Sequence, residues 1–108
     1  MNIDYANPGP TRAEVDAIPG PVLLEVGTPW CGYCRAVQPL IFEAVAGFPE
    51  LRHLKVEDGS GRALGRSFGV KLWPTLVFLR NGHEATRLVR PRDQSSLAAA
   101  LDRISVAP

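Results

Sequence analysis

Apolar positions along the chain fall into two kinds of pattern. Val22-Leu23-Leu24-Glu25-Val26 and Leu76-Val77-Phe78-Leu79 are short runs broken by at most one polar residue, as in strands buried on both faces. Elsewhere apolar side chains recur at the 3.6-residue period of amphipathic helices. Val37, Leu40, Ile41, Ala44, Val45 and Phe48 form one such stripe; Leu97, Leu101 and Ile104 form another in a helix predicted from about Asp93. Pro39 lies inside the first stripe and is expected to kink that helix rather than end it, and Gly47-Phe48-Pro49 then closes it.

The remaining elements follow from local signals. Thr11 and Glu14 have the spacing of a capping box, which predicts a short helix through about Ile18. Residues 51–57 read as a second strand, parallel to the first and joined to it by a right-handed helical crossover. Asp58-Gly59-Ser60-Gly61 is turn material. It precedes a short helix over about residues 61–68, weakened by Gly65 and capped by Gly69. Residues 76–79, Asn81-Gly82 and residues 84–89 predict an antiparallel hairpin with a two-residue turn.

With 108 residues, 45% of them apolar, the chain is sized for one α/β domain, residues 1–108, around one core. Lys and Arg exceed Asp and Glu by one and are scattered along the chain, so no charge pattern points to nucleic acid or an anionic membrane. No apolar run approaches the ~20 residues that span a bilayer. Residues 1–10 carry no basic cluster, apolar stretch or cleavage-like site, which makes the cytoplasm the expected compartment. Thiols are kept reduced there, so a close cysteine pair is expected to be catalytic, redox-sensing or metal-binding rather than structural.

Trp30-Cys31-Gly32-Tyr33-Cys34 holds both cysteines of the chain. A cross-link spanning two residues closes too short a loop to add much stability, but it can open and close in exchange with another disulfide. Both cysteines fall on the first turn of the predicted helix. Free N–H groups and the positive end of the helix dipole stabilise an anion there, so Cys31, the outer of the two, is expected to have a depressed pKa. Cys34, one turn further in, is suited to resolving a mixed disulfide. His53 and His83 complete the inventory for a Cys₂His₂ zinc site, but they lie too far apart in sequence to make the close pair such sites use.

The order of strand, Trp-Cys-Gly-x-Cys, helix with Pro39 five residues after the second cysteine, Trp73-Pro74-Thr75 before a strand, and Asn81-Gly82 resembles the thioredoxin family over roughly residues 20–105. The resemblance implies a thioredoxin fold, with a central mixed β-sheet of four to five strands flanked by helices on both faces. It also implies roles. Glu25 stands where thioredoxins carry a buried Asp that moves a proton to and from the inner cysteine, and burial is expected to raise the pKa of this longer carboxylate. Lys55 is similar in position to a lysine beside that carboxylate. Pro74 matches the family's cis-proline, whose preceding backbone pairs with an extended substrate segment as in strand addition. Trp30, Gly32, Tyr33, Trp73 and Thr75 complete the substrate-binding surface implied around it. Trp73 replaces the family's usual aliphatic residue, and Arg90 stands near the family's glycine-containing loop, where a guanidinium would favour acidic partners.

The expected activity is thiol–disulfide exchange that reduces protein disulfides. Cys31 attacks, Cys34 assisted by Glu25 resolves, and the protein is left oxidised. No bound cofactor is implied. A thioredoxin-reductase-like donor using NADPH through a flavin would restore the dithiol, and the protein is expected to be monomeric. Gly-Tyr between the cysteines, where reducing thioredoxins usually have Gly-Pro, resembles the motif of some periplasmic disulfide isomerases. The added N–H at Tyr33 predicts a less reducing couple. Two alternatives are a disulfide-isomerase-like protein and a non-enzymatic module that docks on one partner or bridges an iron–sulfur cluster.

Overall fold

Alternation along one strand decides the layout. In the computed structural model, which describes residues 4–105, the elements are α1 (Arg12–Asp16), β1 (Pro21–Gly27), α2 (Gly32–Val45), β2 (Arg52–Glu57), α3 (Ala63–Ser67), β3 (Thr75–Arg80), β4 (His83–Val89) and α4 (Gln94–Ser105). Successive side chains of β1 point to opposite faces. Val22, Leu24 and Val26 join Val15 of α1 and Leu64 and Phe68 around α3 in one apolar cluster, with Val77 and Leu79 of β3. Leu23 joins Val37 and Ile41 of α2 and Leu97, Leu101 and Ile104 of α4 in the other, with Leu76 and Phe78. Glu25 shares the face of Leu23. Its side chain is therefore delivered beneath α2, the helix that begins at the cysteines.

The sheet has four strands in the order β2-β1-β3-β4. β1 and β2 are parallel, with Glu25 opposite Lys55 and Leu23 opposite His53, while β1–β3 and β3–β4 are antiparallel. The expected mixed sheet with helices on both faces is thus present. At the outer edge of β2, Ala6 forms an isolated parallel bridge to Val56, its N–H donating to the Lys55 carbonyl at 2.8 Å. That short attachment carries Tyr5 to the sheet.

Local chemistry accounts for the element ends. Thr11 closes the capping box with Glu14 as expected, but α1 stops at Asp16, and Ile18 packs on the core from the following loop. α3 is shorter than the sequence suggests and ends in a Schellman motif: Val70 N–H donates to the Gly65 carbonyl and Gly69 N–H to that of Arg66, with Gly69 at φ +69°. Gly65 has a steric reason, since a Cβ there would strike the Asp58 carboxylate. The β3–β4 turn has positive φ at both Asn81 and Gly82, the geometry that Asn-Gly favours. No helix among the described residues is long and apolar enough to cross a membrane.

Thr11→Ala removes one half of the reciprocal cap and is expected to cost about 1 kcal/mol. The check is urea unfolding, with a lower midpoint and an unchanged m-value.

Candidate functional site

Cys31 is the N-cap of α2. Its backbone is extended (φ −80°, ψ 125°) and its sulfur accepts a hydrogen bond from the Cys34 N–H at 3.3 Å. A helix N-terminus offers N–H groups with no partner in the helix, and a sulfur placed there meets them as an anion would. Burial opposes a thiolate at Cys31. Hydrogen bonds from the Cys34 thiol and from the N–H groups of Cys34 and Tyr33, together with the charge of Arg90, outweigh it, so Cys31 titrates below the ordinary thiol range. The Tyr33 N–H, which a proline at this position would lack, is among those donors.

Cys34 is fully buried, and its thiol is pushed up to about 12, first by burial and then by its hydrogen bond with Cys31. The two sulfurs are therefore unequal. One is suited to start exchange near neutral pH, while the other keeps its proton until something removes it. Space for the inner sulfur comes from Gly27 on β1: a Cβ there would lie 2.6 Å from Cys34 Sγ.

Behind Cys34 lies Glu25, with no exposed surface. A buried carboxylate needs hydrogen-bond partners in place of water, and three side chains supply them. Gln38 Nε2 donates to Oε2 at 2.7 Å, the Tyr5 hydroxyl donates to the same oxygen at 3.3 Å, and His53 Nε2 lies 2.9 Å from Oε1. Lys55 Nζ donates to Gln38 Oε1 at 3.0 Å and lies 4.5 Å from the centre of the Tyr5 ring. Lys55 is thus linked to Glu25 through Gln38. Among the described residues no group of three or more His, Cys, Asp or Glu side chains is placed to hold a metal ion.

The rim of the site is apolar and aromatic. Trp30 and Tyr33 are exposed at 69% and 57%, and Leu72 and Val89 lie nearby in the open. Trp73 packs edge-on against Trp30, ring centres 5.4 Å apart, and its indole N–H donates to Asp58 at 2.9 Å. The Trp73–Pro74 peptide is cis. The Trp73 carbonyl lies 3.9 Å from Cys31 Sγ and accepts a hydrogen bond from Arg90 Nε at 2.8 Å. Arg90 also stacks on the Tyr33 ring at 3.8 Å, and its own φ is +51°. These contacts hold a left-handed conformation that glycine adopts more readily. Gly32 leaves open space beside Cys31, with nothing within 4 Å of where a Cβ would stand. Thr75 turns inward, buried, with its hydroxyl donating to the Leu72 carbonyl.

Three residues of this site escape the sequence reading. Gln38 follows Cys34 by one helical turn, so the helical period would have placed it on the same face. His53 lies two positions before Lys55 on β2 and faces the same side, a relation that strand alternation contains once the register is known. Tyr5 has no periodic signal, because it reaches the site through one isolated bridge.

Comparisons with known proteins agree with this geometry. Residues 5–103 match the family model Thioredoxin. The chain is 30% identical over 84 residues to a thioredoxin of Chlamydia muridarum, covering 78% of this chain and 82% of that protein. It is 35% identical over 88 residues to protein disulfide-isomerase of Gallus gallus, but that match spans only 16% of the larger protein. The solved structure of thioredoxin 2 from Pseudomonas aeruginosa PAO1 in its reduced form superposes with a TM-score of 0.85 at 54% identity, covering 96% of each chain.

Removing either support of the Cys31 anion, in Arg90→Ala or Tyr33→Pro, is expected to move the pH midpoint of Cys31 alkylation upward. For Tyr33→Pro the thiolate fraction at neutral pH should fall about tenfold, the effect of losing ~1.5 kcal/mol from a hydrogen bond to a charged group. Iodoacetamide kinetics against pH provide the check.

Proposed function

The chain belongs to the thioredoxin family and is a thiol–disulfide oxidoreductase, and we propose that Cys31 and Cys34 use this activity to reduce disulfides of other proteins in the cytoplasm. The observation that carries the proposal is the inequality of the two thiols across one helical turn. Cys31 thiolate attacks a substrate disulfide, a mixed disulfide forms, and Cys34 displaces the product and closes the Cys31–Cys34 bond. Glu25 accepts the proton that Cys34 must release. A chain of partners from Lys55 through Gln38 holds that carboxylate in place.

Substrate docks on the rim made by Trp30, Tyr33, Trp73 and Pro74. Arg90 already occupies one acceptor position on the Trp73 carbonyl, so an incoming backbone shares that oxygen with the guanidinium or displaces it. Acidic side chains near the substrate disulfide would draw Arg90 aside, which favours acidic partners. A flavin reductase using NADPH restores the dithiol, with no cofactor bound to this chain. The Tyr33 N–H and Arg90 both stabilise the reduced, thiolate-bearing form, which implies a couple less reducing than a Gly-Pro counterpart of the same fold.

Insulin reduction by dithiothreitol tests the reading. The wild-type protein is expected to accelerate it catalytically, Cys31→Ser to be inert, and Cys34→Ser to accumulate mixed disulfides with many proteins. No acceleration by the wild type, with Cys34→Ser trapping a single partner, would favour a docking module instead.

A further inference from the structure

Resolution needs a proton to leave Cys34, a thiol sealed from solvent at the back of the pair. Among the described residues no hydrogen bond joins Cys34 Sγ to the Glu25 carboxylate, whose partners are Tyr5, Gln38 and His53. One group lies beside both. The Tyr5 hydroxyl donates to Glu25 Oε2 at 3.3 Å, and it lines the same cleft as Cys34, where it favours the Cys34 thiolate. Both atoms crowd Gly27: a Cβ built there would stand 2.6 Å from Cys34 Sγ and 3.4 Å from Tyr5 Oη.

We propose that the Tyr5 hydroxyl is a catalytic relay that carries the proton between Cys34 and Glu25. The proposal rests on Glu25 being the terminal acceptor, as argued above. A hydroxyl has one proton to give and lone pairs to receive another, so it can pass a proton on without changing its own charge. As Tyr5 O–H gives its proton to Glu25 Oε2, its oxygen takes the proton from Cys34 S–H. The tyrosine ends as it began, Cys34 becomes a thiolate and Glu25 a carboxylic acid. The sulfur lone pair of Cys34 then attacks Cys31 Sγ in the mixed disulfide, the Cys31–substrate S–S bond breaks with its electron pair leaving on the substrate sulfur, and that thiolate takes a proton from water. Glu25 then gives its proton up to solvent, and the hydroxyl again donates to the carboxylate.

The surroundings suit a relay rather than a base. Burial and the neighbouring Glu25 and Cys34 charges hold the phenol proton firmly in place, so phenolate is not an intermediate. The groups that face Tyr5 from the packed elements are Glu25 on β1, Lys55 on β2, and Cys34, Arg35 and Gln38 on α2, with His53 of β2 on the far oxygen of Glu25. Gln38 and His53 fix the carboxylate so that Oε2 stays within reach of the hydroxyl. A cleft of about 120 Å³ lined by Tyr5, Pro29, Cys34, Arg35, Gln38 and Lys55 opens beside Cys34. Water in that cleft is the rival carrier.

The test separates attack from resolution by using a symmetrical chromogenic disulfide, dithiobisnitrobenzoate, which releases one coloured thiolate when Cys31 attacks and a second when Cys34 resolves. With Tyr5→Phe the second release at neutral pH is expected to slow about a hundredfold, the lower end of what a positioned acid–base group supplies, while the first is unchanged. The second release in wild type should depend on solvent deuterium content as two protons in flight, and in Tyr5→Phe as one. Combining Tyr5→Phe with Glu25→Gln should be no slower than Glu25→Gln alone, since both act on one path. Normal resolution in Tyr5→Phe with slow resolution in Glu25→Gln would overturn the relay and leave Glu25 standing. Normal resolution in both would remove both, and equal slowing of the two releases in Tyr5→Phe would mark a merely structural residue.

Discussion

A thiolate has to be stable on one sulfur and unstable on another three residues away, and this difference in anion stability organises the molecule. It cannot come from the cysteines, whose intrinsic chemistry is identical. It comes from burial, which weighs on the inner sulfur, and from where the backbone leaves unpaired N–H groups for the outer one. At the cap of α2 they converge on Cys31 from Tyr33 and Cys34; one turn later the helix has satisfied its own donors, and Cys34 is closed in behind β1. The parallel pairing of β1 and β2 contributes as directly as the helix. It sets Glu25, His53 and Lys55 on one face of the sheet, beneath the inner sulfur.

Glu25 shows how a costly feature is accommodated. A carboxylate without solvent requires compensating donors, and here they come from α2, β2 and the segment before α1. Each is also a structural tie, because Gln38 bonds the Cys34 carbonyl as well as the carboxylate. The acid is thus held in register with the helix that carries the thiols. On the opposite side of the pair, Arg90 spans the Trp73 carbonyl and the Tyr33 ring. It joins the cis-proline segment to the motif.

Much of this was legible in the sequence, and the reasons are specific. Short, mostly apolar runs and 3.6-residue stripes located the buried strands and both long helices, since burial on one or two faces leaves a period that needs no tertiary knowledge. Asn81-Gly82 announced a tight turn because few other residues tolerate positive φ twice in succession. The cysteine pair located the chemistry. What stayed hidden depends on contacts between distant segments: His53 has meaning only through a strand register, and Tyr5 only through the bridge at Ala6. The early stop of α1 and the short α3 are capping events, settled by hydrogen bonds that compete within a turn.

The inequality of the two sulfurs is tested most directly by titrating thiolate ultraviolet absorbance in the fully reduced protein, with Cys31→Ser and Cys34→Ser assigning each step. One thiolate appearing below the ordinary thiol range and assigned to Cys31, with the second appearing only toward pH 12, is the predicted result. Two thiols ionising together in the free-cysteine range near pH ~8.5, or Cys34 ionising first, would contradict the account.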